Sequence, residues 1–146
     1  MRIYFDPSVL ISFYVTEPAS ADVRDFIQEQ NVVILLNSLQ ELELKNGIRQ
    51  KVLRQEITEG TATRSLRLLE DDFVAGLVAS KPVTWAPVYA RAEQLSRRFS
   101  PRQICRSFDL LHVAIAVVSK VRHFATFDER QSALARSAGL HVVQCA

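Results

Sequence analysis

Ile3-Tyr4-Phe5-Asp6-Pro7 and, far downstream, Phe124-Ala125-Thr126-Phe127-Asp128 are the two stretches that decide the fold class of this chain. Each is a short apolar run of strand character that stops at an aspartate. Pro7 has the fixed φ and the missing N–H that suit the first position of a helix, so the first stretch reads as a strand running straight into a helix. Strand followed by helix is the unit of an α/β layer fold, and the rest of the chain repeats it.

Outward from Pro7, a helix is expected over Ser20 to about Gln30 with Val23, Phe26 and Ile27 inward, then a strand over Val32 to Leu36. Asn37-Ser38 supplies the next cap. Ser38 to Ile57 is rich in helix formers, and Leu44, Ile48 and Val52 recur four residues apart. Gly60-Thr61 reads as a break, after which Leu66, Leu69, Phe73 and Leu77 share a face of a second helix. These two helices should form a hairpin. Lys81 to Trp85 reads as a short strand, and Pro87 as the start of a helix carrying Val88, Ala92, Leu95 and Phe99 and ended by Ser100-Pro101. Ser107 then caps an apolar helix running to about Val121, with Asp109 in its first turn. Phe124 to Phe127 is a strand, Glu129 to about Ala138 a helix stopped by Gly139, and Leu140 to Val143 a final strand.

The 146 residues, 48% hydrophobic and 23% charged, describe one domain over 1–146 rather than two, or a disordered chain. A chain of this length buries roughly two thirds of its unfolded surface and needs no disulfide framework. Cys105 and Cys145 form neither such a framework nor a Cys-x-x-Cys pair, which fits a reducing cytosol. The acid and proline at positions 6 and 7 break the apolar core that a signal peptide needs. Leu110 to Val118 falls well short of the roughly 20 residues that span a bilayer. The expectation is a soluble, cytoplasmic protein with no membrane partner. A formal charge of +2 is too small to argue for nucleic acid by itself.

In open α/β sheets ligands gather beyond the C-terminal ends of strands. Asp6 and Asp128 fall there, Asp109 starts a helix, and one of Glu41 and Glu43 can point to the same rim. Carboxylates packed together repel unless a cation neutralises them, and a hard divalent ion such as Mg²⁺ or Mn²⁺ prefers oxygen ligands. Taken singly, each acid has a plainer use as a helix cap. On a 3.6-residue helix Glu41 and Glu43, two positions apart at about 100° each, point about 160° apart. Glu43 shares its side with Leu39, Asn46 and Gly47, whose missing side chain leaves room for an ion. Glu41 lies four residues before Lys45, a structural ion pair.

Ser8 serves either a metal ligand or the first helix, Thr126 either the rim or a strand, and Trp85 the core or a partner interface. His112, His123 and His141 lack metal-ligand spacing, and His112, inside an apolar helix, reads as structural. Charge is clustered rather than net. Lys45, Arg49, Lys51 and Arg54 form one acid-free run; Arg91, Arg97, Arg98, Arg102 and Arg106 form another around the single Glu93. An acidic pocket repels a phosphate backbone, so such flanks either draw in a phosphate-bearing partner or are merely solvated helix faces.

The segments FDPSVLISFYVTEPAS, NSLQELELKNGIRQ, RSFDLLHVAIA and FATFDERQSALARSAGLHVV, in this order over residues 3 to about 144, resemble the PIN-domain family and within it the VapC-like toxins of type II toxin-antitoxin pairs. The resemblance implies a three-layer α/β/α PIN-like fold with a central, mostly parallel sheet. It implies an endoribonuclease in which Asp6, Glu43, Asp109 and Asp128 bind Mg²⁺ or Mn²⁺ and activate water against an RNA phosphodiester. Ser8 completes the Asp-x-Ser start, and the word acid-Leu-x-Asn-Gly-Ile selects Glu43 over Glu41. A small antitoxin and a homodimer follow from the same resemblance. Arg97, Arg98, Arg102 and Arg106 are then the candidate RNA or partner contacts. A catalytically silent RNA- or protein-binding module is the alternative. A phosphoryl-transfer domain with Asp6 as nucleophile is disfavoured, because Ser8 stands where a Asp-x-Asp-x-Thr phosphatase has its second acid.

Overall fold

Five three-residue strands alternate with seven helices in a computed structural model that describes residues 1–146. The order is β1 (Ile3–Phe5), α1 (Pro7–Tyr14), α2 (Ser20–Gln30), β2 (Ile34–Leu36), α3 (Ser38–Leu53), α4 (Glu59–Ala75), β3 (Val78–Ser80), α5 (Trp85–Phe99), α6 (Ser107–Val118), β4 (His123–Ala125), α7 (Glu129–Ser137) and β5 (His141–Val143). Every strand pairing is parallel, as helical crossovers require. The strands form two ladders, β1-β4-β5 and β2-β3. Each belongs to a separate compact unit: one comprises Arg2–Asp6 and Val83–Gln144, the other Met1, Pro7–Pro82 and Cys145–Ala146.

In the unit that holds β1, β4 is the middle strand, and Phe124 is in register with Tyr4 on one side and Val142 on the other. Tyr4 and Phe124 stack with ring centroids 5.2 Å apart. Asp109 to Ala116 of α6 are all buried, which explains why that helix reads as apolar on every side. His112 within it is the structural residue expected, its Nδ1 2.7 Å from the Tyr4 hydroxyl.

In the other unit α1 packs against α2, α3 and α4 over a core that includes Val9, Leu10, Leu44, Ile48 and Leu69. Asn37 and Gln40 form a reciprocal capping box at the start of α3. Gly47 has a different use from the one expected. A Cβ there would stand 2.6 Å from Ile11 Cδ1, so the missing side chain admits α1 rather than an ion.

Several boundaries move. The α3–α4 break falls at 54–58, not at Gly60, which is the second residue of α4 behind the Thr58 cap. Gly76, at φ +77°, stops α4, so Leu77 is exposed and off the helix. The strand expected at Lys81–Trp85 lies instead at Val78–Ser80, and Trp85 opens α5. Arg106 rather than Ser107 is the N-cap of α6, which ends at Val118. Phe127 lies outside β4.

Candidate active site

Asp6 leaves the ladder at the C-terminal end of β1, its backbone N–H donating to Ala125 O at 2.8 Å, and it is only 8% exposed. That bond extends the β1-β4 pairing by one residue and brings the segment after β4 alongside. Thr126 Oγ1 donates to Asp6 Oδ2 at 3.2 Å, and Gln131 Nε2 to Asp6 Oδ1 at 3.3 Å. Both carboxylate oxygens thus accept a hydrogen bond from a neutral donor, an arrangement that orients the side chain. Thr126 lines the rim, the first of its two expected uses, and also accepts from the Asp128 backbone N–H at 3.1 Å.

Asp128 caps α7: its Oδ1 accepts from the N–H groups of Arg130 and Gln131 at 2.8 and 3.0 Å. The plain capping reading is therefore correct for this acid, but it covers one oxygen only. Oδ2 accepts from Arg106 Nη2 at 2.9 Å. Arg106 also grips Asp109, which is buried in the first turn of α6, through Nε to Oδ2 at 2.8 Å and Nη2 to Oδ1 at 3.3 Å. One guanidinium thus ties together the acids at the starts of two helices. A cation at a helix N-terminus opposes the helix dipole, so the position of Arg106 is explained by the carboxylates and not by the helix. The Asp109 hydrogen bond and charge raise the already high Arg106 pKa.

Burial pushes the Asp128 carboxyl up, but the two backbone N–H groups and Arg106 outweigh it and hold it below the ordinary value of 3.8. A group depressed on folding contributes stability above its unfolded pKa that is lost as pH falls through the folded one. Asp128→Asn, an equally good cap, is therefore expected to flatten the acid-side loss of stability below about pH 4 in EDTA. Asp128→Ala is expected to cost about 1 kcal/mol at neutral pH, where the Asn variant retains its cap. Urea midpoints measured against pH check both.

Asp6, Asp109 and Asp128 thus share one hydrogen-bonded network with Thr126, Gln131 and Arg106. Glu43 and Ser8 lie in the other unit: Glu43 is half-buried on α3, and the Ser8 carbonyl accepts from Ser12 Oγ at 3.4 Å. Glu41 makes the expected pair with Lys45, at 2.7 Å. Gln131 was not singled out from sequence. It is fully buried, and its Oε1 has no hydrogen-bond partner. Its spacing from Asp128, a cap acid with a Gln three residues on, signals a capping box, yet its side chain turns to Asp6 instead.

The two basic runs separate. Lys45 pairs with Glu41, Lys51 with Glu17 and Glu56, and Arg54 with Glu56, so most of the first run is neutralised locally. In the second, Arg97 pairs with Glu93 on the surface, Arg98 lies over the Phe99 ring, Arg102 is exposed, and Arg106 is engaged by the acids.

No group of three or more His, Cys, Asp or Glu side chains lies close enough together to hold a metal ion. The donor set nevertheless fits a hard divalent cation. It offers carboxylate oxygens, and two of its acids already share a cationic group.

Beyond the C-terminal ends of parallel strands is where open α/β folds bind their ligands. The PIN domain family model matches residues 3–137, and the chain belongs to that family, whose members are generally nucleases. No curated protein matches the sequence significantly. Among solved structures, a chain in the crystal structure of FitAcB from Neisseria gonorrhoeae is similar in fold, with a TM-score of 0.63 over 99% of this chain and 98% of that one at 16% identity. No helix is long and apolar enough to cross a membrane.

Proposed function

We propose that this chain is a metal-dependent endoribonuclease, the VapC-like toxin of a type II toxin-antitoxin pair, acting in the cytoplasm as one PIN-like domain over 1–146. The observation that carries the reading is the network beyond β1 and β4 in which Thr126 links Asp6 to Asp128 and Arg106 links Asp128 to Asp109. Asp6, Glu43 and Asp109 are the proposed ligands of Mg²⁺ or Mn²⁺, and Asp128 holds a second ion or orients the water. A bound ion of this kind supplies Lewis acidity, lowering the pKa of water and polarising the scissile phosphate.

The chain's own groups prepare that chemistry. Thr126 and Gln131 orient the Asp6 carboxylate, one hydrogen bond to each oxygen. The α7 N–H groups keep Asp128 ionised through neutral pH. Arg97, Arg98 and Arg102 give the RNA backbone a positive approach that the acid rim denies it. Trp85, Tyr89, Ile104 and Phe108 expose apolar surface, which suits the small antitoxin or the second copy of a homodimer.

Total RNA incubated with the purified protein and Mg²⁺ or Mn²⁺ is expected to give discrete fragments, and EDTA to abolish them. RNA binding without fragments under any divalent ion would favour the catalytically silent module.

A further inference from the structure

Arg106 is engaged in a way that the nuclease reading does not require. Its guanidinium makes three hydrogen bonds, two to Asp109 and one to Asp128, both of them proposed as metal-site acids. On Asp128 the other oxygen is already saturated by two backbone N–H groups, so Arg106 sits on the one oxygen left for an ion. The Asp109 side chain is 11% exposed and that of Arg106 56%, so the acid is buried while the arginine side chain borders solvent. Arg106 is the last residue of the α5–α6 connection, and its ion pairs are to these two acids.

We propose that Arg106 is a built-in competitor of the divalent cation: it neutralises Asp109 and Asp128 when no metal is bound, and it must swing outward for the metal to load. The inference rests on the metal reading above. Two positive groups cannot share these oxygens without repulsion, so metal binding carries the cost of breaking the Arg106 contacts. In return the metal-free protein avoids two adjacent uncompensated carboxylates, and its site stays closed to weakly binding cations.

Calorimetric titration of the metal-free protein with Mn²⁺ reads this directly, without RNA. Arg106→Gln is expected to bind Mn²⁺ about tenfold more tightly than the wild type, a change equal to about 1.4 kcal/mol. Arg106→Lys, which keeps the charge but loses the two-pronged grip on Asp109, should fall between them. Mn²⁺ should raise the melting temperature of the Gln variant more than that of the wild type, as tighter binding requires. Equal or weaker binding by Arg106→Gln overturns the inference and leaves the nuclease reading standing. If neither protein binds Mn²⁺, the metal reading falls, and the inference with it. The wild type supplies a test that needs no variant to fold. The Arg106 Nε–H resonance of the metal-free protein should shift and exchange faster as Mg²⁺ is added. A resonance that stays fixed while Mg²⁺ moves those of Asp6 and Asp109 overturns the inference.

Discussion

Asp6→Asn and Asp109→Asn are each expected to lower RNA cleavage by about two orders of magnitude or more while the protein stays folded, because in the proposed mechanism each removes a carboxylate that would hold the cation. Their effects on stability should differ. Asn at position 6 still accepts from Gln131 through its oxygen, and the Thr126 hydroxyl, which donates to Asp6 in the native protein, can instead accept from the new amide. Little stability should be lost. Asp109→Asn strips Arg106 of its principal partner, so the metal-free protein should be modestly less stable rather than relieved of repulsion. Cleavage assays with Mn²⁺, paired with urea melts in EDTA, separate the two effects. Full activity in either variant excludes the mechanism.

Glu43→Gln is expected to lose metal-dependent cleavage to a similar degree, whereas Glu41→Gln should cost at most about 0.5 kcal/mol. The second figure rests on the Glu41–Lys45 pair, whose side chains are 32% and 34% exposed and therefore well screened. The first rests on position, two residues along the same helix and turned well away from Glu41. Parallel cleavage and melting measurements on the two variants check this. A dead Glu41→Gln beside an active Glu43→Gln would show that the wrong face of α3 had been assigned to the site.

Sequence alone revealed the elements whose signals are local and chemically distinct. Asp6-Pro7 ends β1 and opens α1, Asn37 caps α3, Asp128 caps α7, and Gly139, at φ +87°, lies just past the end of α7. It misled where periodicity outlasted the helix. Leu77 continues the spacing of Leu66, Leu69 and Phe73, and that continuity hid Gly76, whose left-handed backbone is what ends α4. The turn before α4 was harder still to see, because the residue with positive φ there is Gln55, which carries no turn signature. At the site, Asp6 and Asp128 stood out because an apolar run of strand character stops at each. Gln131 and the grip of Arg106 on two acids did not, since both depend on contacts between segments far apart in sequence.

The pairing of β1 with β4 sets a timetable for biosynthesis. Asp6 is made well before Thr126 and Gln131, which hold its carboxylate and lie 120 and 125 residues later. At about 5–20 residues per second, Asp6 waits roughly 6–25 s for these partners to be made. The strand that carries it has no ladder to join until β4 emerges, and α7 must follow before the amide of Gln131 is in place. Translation that halts before residue 123 therefore leaves an acid with no rim around it. For a protein proposed to cut RNA, this order leaves the acid rim incomplete on the ribosome until Thr126 and Gln131 have been added.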